Sequence, residues 1–357
     1  MELIYLTTPF GFAIIVTLVL VPLWISVCRK WNLFDEPDNR KHHMVLTPSM
    51  GGIAIFCGVF CSFLVFGQIN DDTKLQYLLG SVLILFFTGF FDDLINVPPF
   101  KKLILQSASA IIAFYGGFRL QNLDGFLGIY EIPLALQLPL TLWAVVLFTN
   151  AYNFIDGVDG LAGSLGVIMS SAFGAIFYHY GLYDFAILSF CFTGALLGFL
   201  YYNFSPAKIF MGDTGSLVIG FTTAILAIEL LNAGVANPAE AVPTSYILAV
   251  LFLPVFDFVR VFIMRLISGS SPFKADRNHI HHMILGHGFG HRSVAFMMAG
   301  FSLMILSFHQ LNLYLKDELI LLTNIIMALL FFNQKTMAVL STVRDRYFGY
   351  SGNKAEK

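Results

Sequence analysis

Charged residues are scarce in this sequence, at 12% of its 357 residues, whereas apolar residues make up 57%. An average soluble domain has about 25% charged and about 45–50% apolar residues. The composition therefore excludes an ordinary water-soluble domain. A net charge of −2 and the lack of a dense basic patch give no indication of a nucleic-acid partner. The sequence predicts a membrane protein.

Cysteine is also rare, and two nucleotide- or metal-binding patterns are missing. The four cysteines are Cys28, Cys57, Cys61 and Cys191, all in apolar runs. None forms a C-x-x-C pair, so neither a disulfide framework nor a zinc site is predicted. No Gly-Lys pair occurs anywhere in the sequence, which excludes a Walker A site for nucleotide.

Apolar runs that approach the length of a membrane span are abundant. A helix crosses the hydrocarbon core with about 20 predominantly apolar residues. Eleven such runs fall near 8–28, 49–67, 76–91, 102–118, 133–149, 161–180, 184–202, 214–232, 244–267, 293–311 and 318–340. No connection between them is long enough for a separate soluble domain. We therefore expect an all-α, multi-pass membrane protein that forms one domain over residues 1–357.

Basic residues are distributed unequally between two sets of connections. One set holds Lys74, Arg119 and Lys316, and the other holds nearly all of the remaining lysines and arginines. Because basic connections remain on the cytoplasmic side, this predicts an outer N-terminus and a cytoplasmic C-terminus. The outer segment 119–132 contains a turn-like Asp124-Gly125 pair, which predicts a small hairpin at the membrane surface.

Acidic and histidine clusters lie at the cytoplasmic ends of the predicted spans. They are Asp35/Glu36/Asp38, Asp92-Asp93, Asp156/Asp159, Asp213 and the loop 276–282. A transporter would place polar groups near the middle of the bilayer, whereas most of these spans lack charge. Asp257 and Arg260 are exceptions. The pattern favours an enzyme at one membrane surface, and a multispan transporter is the alternative from another class.

Carboxylates mark two of the helix ends. Asp92 and Asp93 end the third span in FFDD, and Asp213 precedes the eighth in FMGDTGS. Carboxylate oxygens suit Mg²⁺, which usually binds one or two of them plus substrate phosphates. A helix start also offers free N–H groups to phosphate. The simpler alternatives are solvated charges at a span boundary for the pair and a helix cap for Asp213.

The segment NAYNFIDGVDGLAGS, between the fifth and sixth spans, repeats polar residues at every third position. These residues are Asn150, Asn153, Asp156 and Asp159. Helical or 3₁₀ geometry would place them along one side, and the intervening glycines let the backbone approach a ligand. A glycine-rich turn with polar caps is the alternative.

A histidine cluster precedes the tenth span. His279, His281 and His282 follow Arg277 in ADRNHIHHM and lack the H-E-x-x-H spacing of zinc proteases. We interpret them as groups that contact phosphate, with solvated loop residues as the alternative.

A basic segment enters the second span. Arg40 and Lys41 precede a tight turn that begins at Thr47. The charges favour a phosphate contact, but the positive-inside rule explains them equally well.

The ordered set of motifs resembles the polyprenyl-phosphate N-acetylhexosamine-1-phosphate transferase family. FDD (91–93), NAYNFIDGVDGLA (150–162), FMGDTGS (210–216) and HIHH (279–282) occur in the order that the family shows. Each motif alone is weak, whereas the ordered set is specific. The resemblance implies a largely helical bundle in the bacterial cytoplasmic membrane, with its active site facing the cytoplasm.

The histidine segment points to one branch of that family. SPFKADRNHIHH (271–282) is similar to the pattern of bacterial enzymes that transfer N-acetylglucosamine 1-phosphate from UDP-GlcNAc to undecaprenyl phosphate. That reaction releases UMP and initiates a cell-envelope polysaccharide. MurNAc-pentapeptide translocases carry three consecutive histidines, whereas Met283 follows two here. UDP-MurNAc-pentapeptide or another UDP-HexNAc is the alternative donor. Leu46 replaces a proline common in the family, a minor departure.

The resemblance also implies roles for individual residues. The metal ligands would be Asp213, Asp92 and Asp93, for Mg²⁺ or alternatively Mn²⁺. The catalytic residues would be Asp92, Asp93, Asp156, Asp159 and His279. The substrate-binding residues would be Arg40, Lys41, Thr47, Asn153, Asp156, Phe210, Arg277, His279, His281 and His282, with Phe210 stacked on uracil. Direct attack by the lipid phosphate is favoured over an aspartyl-phosphate intermediate, and the sequence leaves both open.

Small residues in the seventh span could form a contact between helices, within one chain or between two. Gly194, Ala195 and Gly198 permit close helix packing. They are consistent with packing inside one chain or with a homodimer.

Overall fold

The computed structural model of the protein describes residues 2–31, 33, 47–67, 73–236, 242–269, 278–312 and 314–348. These residues form thirteen α-helices. The helices are α1 (Glu2–Trp31), α2 (Gly52–Phe66), α3 (Thr73–Ile95), α4 (Pro99–Tyr115), α5 (Leu134–Ile155), α6 (Leu161–His179), α7 (Tyr183–Asn203), α8 (Gly212–Ala236), α9 (Thr244–Ile267), α10 (Ile280–Gly286), α11 (His291–Leu311), α12 (Asp317–Phe331) and α13 (Gln334–Phe348). The predicted all-α class is confirmed.

Each predicted span falls on a helix or on a pair of helices. Within the described residues, eight helices are long and apolar enough to cross a membrane, namely α1, α3, α5 to α9 and α11. Helices α12 and α13 meet at a bend of 54° and would add a ninth span if the pair crosses the membrane once. Helices α2 and α4 are shorter, at 15 and 17 residues. The multi-pass class is confirmed, whereas eleven spans and their orientation stay predictions.

Helix α8 lies at the centre of the bundle and is almost entirely buried. It packs against α3 and α5. Glycine permits two of its closest contacts: a Cβ at Gly89 of α3 would lie 2.4 Å from the carbonyl oxygen of Asp213, and a Cβ at Gly52 would lie 2.0 Å from the amide nitrogen of Gly215. Small residues let helix backbones approach closely in membranes. These contacts fix the beginning of α8 against α2 and α3.

The small residues of α7 pack inside the chain. A Cβ at Gly194 would lie 2.3 Å from the carbonyl oxygen of Phe10, and one at Gly198 would lie 2.9 Å from that of Ile14. Both carbonyls belong to α1, so these glycines are covered by a neighbouring helix. Of the two interpretations of this stripe, packing within the chain is the one observed. The homodimer itself stays a prediction.

The segment 119–132 forms a small hairpin, as the Asp-Gly pair predicts. One antiparallel bridge joins Asn122 and Glu131, and the amide of Ile132 donates to the carbonyl of Gln121 at 2.8 Å. Gly125 has a φ of 80°, a left-handed conformation that glycine adopts at little cost. The hairpin joins α4 to α5.

A polar cluster ties the beginning of α9 to α11 and α12. Ser245 Oγ lies 2.8 Å from His309 Nε2 and donates to Asp317 Oδ1 at 2.7 Å. Ser245 and His309 are buried. Asp257 follows Ser245 by twelve residues on the same helix, so the two lie about 18 Å apart along the axis.

Candidate active site

A cavity of about 410 Å³ opens among the ends of α3, α5, α8 and α11. Seven of the residues predicted from sequence line it: Asp92, Asp93, Asn153, Asp156, Asp159, Phe210 and Asp213. They come from three motifs that are far apart in the sequence. The structure therefore brings these motifs to one place, while the role of each residue stays a prediction.

Asp93 caps the beginning of α8 from a neighbouring helix. Its Oδ1 accepts a hydrogen bond from the amide of Asp213 at 2.7 Å, and its Oδ2 accepts from the amide of Thr214 at 3.0 Å and from the Thr214 hydroxyl. The first N–H groups of a helix have no partner within it, and negative charge is favourable there. Both oxygens of Asp93 are thus used to fix α8 relative to α3.

Lys102 joins the other two carboxylates of the site. Its Nζ lies 2.9 Å from Asp92 Oδ2 and also contacts Asp213 Oδ2. On its other oxygen, Asp213 accepts a hydrogen bond from Asn153 Nδ2 at 2.8 Å. In the sequence, Lys102 is one of the many basic residues of the connections, and no motif marks it as a site residue. The Pro98-Pro99 pair turns the chain from α3 into α4. This pair was the sequence signal that the first turn of α4, which carries Lys102, lies close to the FDD motif.

Asp92 and Asp213 present oxygen atoms to one shared cation position. Two carboxylates plus phosphate oxygens are a ligand set that Mg²⁺ commonly takes, so the donor atoms fit this ion. Asp93 is occupied as the cap of α8. Across the described ranges, no group of three or more His, Cys, Asp or Glu side chains is arranged to hold a metal. A metal here would therefore depend on substrate for its remaining ligands.

Asp159 lies in the turn between α5 and α6 and has partners on two other segments. Its Oδ1 lies 3.1 Å from His291 Nδ1, and its Oδ2 accepts a hydrogen bond from the amide of Ala207 at 3.1 Å. Burial alone would raise the pKa of Asp159. The hydrogen bonds and the charge of His291 lower the pKa by more than that, so it lies below its usual value. The Asp159 carboxyl is therefore ionised at neutral pH.

Several residues that line the cavity were not predicted from sequence. They are Asn96, Val158, Asn203, Gly212 and His291, whereas Gly157 is one of the glycines that the sequence predicts to let the backbone approach a ligand. Asn203 joins two loops of the site, because it accepts from the amide of Gly160 at 2.9 Å and donates to the carbonyl of Ile209 at 2.8 Å. Asn96 has a φ of 52°, which asparagine tolerates better than most residues. His291 begins α11, and spacing from the other motifs gave no signal for it.

The histidine segment packs behind the cavity. His279 and His281 are only 5% and 1% exposed. The ring of His279 stacks on Phe154 at 5.4 Å and on His281 at 5.7 Å, and His282 lies 4.3 Å from His281. A Cβ at Gly157 would lie 2.7 Å from His281 Nε2. Among the described residues that line the cavity, none is a histidine of this segment.

Burial also determines the charge of His281. Together with the nearby His282, it lowers the pKa of this imidazole to about 3. His281 is therefore neutral at neutral pH. In this structure the ring packs against Gly157, and the contact of the histidine cluster with phosphate stays a prediction.

The second-span turn lies beside Phe210. The amide of Phe210 donates to the carbonyl of Pro48, and the amide of Gly51 donates to the carbonyl of Phe210, both at 2.8 Å. Thr47 immediately precedes this pairing. Three other predicted residues, Arg40, Lys41 and Arg277, lie outside the described residues.

Comparison with known proteins decides the family. The model of "Glycosyl transferase family 4" matches residues 75–231. A Bacillus subtilis protein named probable undecaprenyl-phosphate N-acetylglucosaminyl 1-phosphate transferase is 32% identical over 299 residues, which cover 82% of this chain and 80% of that protein. The chain belongs to glycosyl transferase family 4.

Two further relatives of this family 4 chain support the assignment. An Escherichia coli K12 protein named undecaprenyl-phosphate alpha-N-acetylglucosaminyl 1-phosphate transferase is 34% identical. The matched region covers 75% of this chain and 73% of the Escherichia coli protein. A Yersinia pestis protein of the same name is 32% identical, covering 82% and 80%. The family match at 75–231 includes the FDD, NAYNFIDGVDGLA and FMGDTGS motifs around the cavity.

Proposed function

We propose that the protein transfers N-acetylglucosamine 1-phosphate from UDP-GlcNAc to undecaprenyl phosphate, releasing UMP and forming undecaprenyl-diphospho-GlcNAc. The observation that carries this proposal is the meeting of three acidic family motifs in one cavity. The names of the relatives support the transferred group, N-acetylglucosamine 1-phosphate, and the acceptor, undecaprenyl phosphate. The product would be the first lipid-linked intermediate of a cell-envelope polysaccharide.

The place of the cavity suits a reaction between a lipid and a soluble nucleotide. It lies where α3 ends and α8 begins, and both helices are long and apolar enough to span a membrane. A polyprenyl chain can lie among the lipids while its phosphate reaches the helix ends. We place this face on the cytoplasmic side of the bacterial cytoplasmic membrane, because most basic connections share it.

The reaction exchanges one phosphoanhydride bond for another. An oxygen of the lipid phosphate bonds to the β-phosphorus of UDP-GlcNAc, and the bond from that phosphorus to the oxygen of UMP breaks, so UMP leaves with the electron pair. A phosphate monoester has a second pKa near 6, so the acceptor is largely dianionic at neutral pH without a strong base. We therefore favour direct attack over an aspartyl-phosphate intermediate.

Because both reactants are anionic, the main tasks of the site are positioning and charge neutralisation. Lys102 brings a positive charge between Asp92 and Asp213 and can donate to a phosphate oxygen when substrate enters. We assign Mg²⁺, with Mn²⁺ as the alternative, to Asp92 and Asp213. When bound there, the ion would stabilise negative charge on the leaving oxygen.

The remaining cavity residues would bind the donor. Phe210 lines the wall and is proposed to stack on the uracil ring. Asp156 and the ionised Asp159 stand on the facing turn, where they can accept hydrogen bonds from sugar hydroxyls. Asn153 keeps Asp213 oriented through its 2.8 Å hydrogen bond.

The test is UMP release by purified, detergent-solubilised protein. The protein is given undecaprenyl phosphate, Mg²⁺ and one UDP-sugar at a time, with a chelator control. Release with UDP-GlcNAc, abolished by the chelator, is the expected result. Release only with UDP-MurNAc-pentapeptide would change the donor and keep the reaction type. No release with any donor, from folded protein, would refute the proposed reaction.

A further inference from the structure

A buried carboxylate outside the cavity organises the histidine segment. Asp257 of α9 is 1% exposed. Its Oδ2 lies 2.9 Å from His279 Nδ1, and its Oδ1 accepts from the amide of Ile280 at 3.0 Å and from the guanidinium of Arg260 at 2.9 Å. A buried charge is costly unless it is paired and hydrogen-bonded. With these three partners, Asp257 is held in one defined arrangement.

These contacts fix both a side chain and a helix start. Ile280 is the first residue of α10, so Asp257 caps this helix from α9. Arg260 also donates to the carbonyl of Asn278, which precedes His279. Asp257 and Arg260 together therefore hold residues 278–280 against α9.

The ring of His279 extends this arrangement to the acidic turn of the cavity, residues 156–159. The ring lies between Phe154 and His281, with interplanar angles of 16° and 9°. Phe154 is two residues before Asp156, and His281 packs against Gly157. The partner of one imidazole nitrogen sets the tautomer and orientation of the ring. A change at Asp257 should thus reach the turn through His279.

We propose that Asp257 is a positioning residue of the transferase, which acts through His279 to hold the acidic turn 156–159 against the cavity. The consequence for turnover rests on the proposed function. The consequence for the position of the turn does not rest on the proposed function, because that position follows from the stacked rings alone. Asp257 does not line the cavity, so its effect has to be transmitted.

The first measurement is hydrogen–deuterium exchange of peptides that cover residues 150–164 in the full-length protein in detergent. Asp257→Asn keeps the size of the side chain and can still accept from Ile280, but it loses the charge that holds His279 and Arg260. We expect faster exchange at 156–160 in this variant and in His279→Gln. Asp317→Asn is the matched control, because Asp317 binds the opposite end of α9 through Ser245, and its exchange at 156–160 should equal that of the wild type.

The second measurement is a double-mutant cycle on kcat for UMP release. Each single variant, Asp257→Asn or His279→Gln, should lower kcat about 10–100-fold, the usual loss for a group that orients an active-site residue. The kcat of the double variant should lie no more than about threefold below that of the less active single variant, because the effects of residues that act as a unit are not additive. Independent structural roles would instead multiply the two losses.

The outcomes separate the inference from the proposed function. Wild-type exchange at 156–160 in Asp257→Asn, or multiplied losses in the double variant, would overturn the positioning role. Absence of UMP release by the wild type would refute the proposed reaction, and the exchange data would still decide the positioning role. If Asp257→Asn does not fold, His279→Gln alone must speed exchange at 156–160, since the proposal depends on that ring.

Discussion

At the scale of single residues, three neighbouring aspartates have different tasks because they have different partners. Asp93 binds the free amides of α8, whereas Asp92 and Asp213 share the ammonium group of Lys102. Adjacent side chains on a helix diverge by about 100°, so Asp92 and Asp93 must face different surroundings. The sequence predicted that this pair mattered, but it held no information on which member caps and which binds a cation.

Replacement of Asp213 by asparagine should lower turnover strongly while the protein still folds. The amide keeps the shape and can still accept from Asn153, but it removes a charge from the proposed metal position. We expect kcat for UMP release to fall about 100-fold or more, a magnitude typical for loss of one electrostatic group at a reacting centre. Near-normal turnover would remove Asp213 as a metal ligand.

Replacement of Asp93 by alanine should mainly affect folding. It would leave the partly buried amides of Asp213 and Thr214 without their acceptor, at a cost of about 1–3 kcal/mol. Thermal unfolding followed by circular dichroism would measure the loss. Asp92→Ala is the comparison, because Asp92 accepts from one backbone amide, that of Val97, whereas Asp93 accepts from two. An equal or greater loss of stability in Asp92→Ala would contradict the capping role.

At the scale of helices, the site depends on how closely α8 approaches its neighbours. Gly89 lies one turn before Asp93, and its lack of a Cβ lets the start of α8 contact α3. Ten of the apolar runs predicted long helices to within about six residues at each end, because run length is a local property. Close approach between helices is a long-range property, and the sequence alone did not single out Gly89.

Replacement of Gly89 by alanine should therefore impair both stability and turnover. Its Cβ would lie 2.4 Å from the carbonyl oxygen of Asp213, which forces α8 away from Asp93. Gly80→Ala on the same helix is the control, because its Cβ would meet no atom within 4 Å. Alanine favours a helix over glycine by about 1 kcal/mol, so Gly80→Ala should retain or raise the melting temperature. Equal behaviour of the two variants would contradict this account.

One helix boundary was missed, and its signal was local. The apolar run 318–340 reads as one span, whereas the chain breaks between α12 and α13 with a 54° bend. Asn333 precedes α13, and its Oδ1 accepts from the amide of Thr336 at 2.9 Å. This is the usual bond of an N-cap asparagine. The capping residue Asn333 is therefore the local sequence signal for this second helix, and hydropathy does not register it.

At the scale of the whole molecule, the cavity combines segments that are separated by up to about 200 residues of chain, from Asp92 to His291. The motifs identified seven of its residues, because their polar character was unusual in an apolar sequence. The burial of His279 and His281 could not be predicted in the same way. It depends on Asp257 in α9 and Phe154 in α5, which no local pattern connects to the histidines.

The balance of charge predicts how the protein responds to metal removal. Since Lys102 pairs Asp92 and Asp213, these carboxylates are not left facing each other without a cation. A chelator should therefore abolish UMP release while the melting temperature stays nearly constant. In Lys102→Met the two carboxylates repel one another, so Mg²⁺ should raise the melting temperature as a ligand of the native state does. A wild-type protein that unfolds readily in chelator would contradict this expectation.

The hydrogen bond from the Asp213 amide to Asp93 also has a consequence for biosynthesis. The two residues are 120 positions apart, which at about 5–20 residues per second corresponds to about 6–24 s of translation. During that interval the FDD carboxylates are already at the membrane, but the helix start that Asp93 caps has not yet left the ribosome. The nascent chain therefore cannot assemble its cavity, or draw on the nucleotide-sugar pool of the cell, until more than half of it has been made.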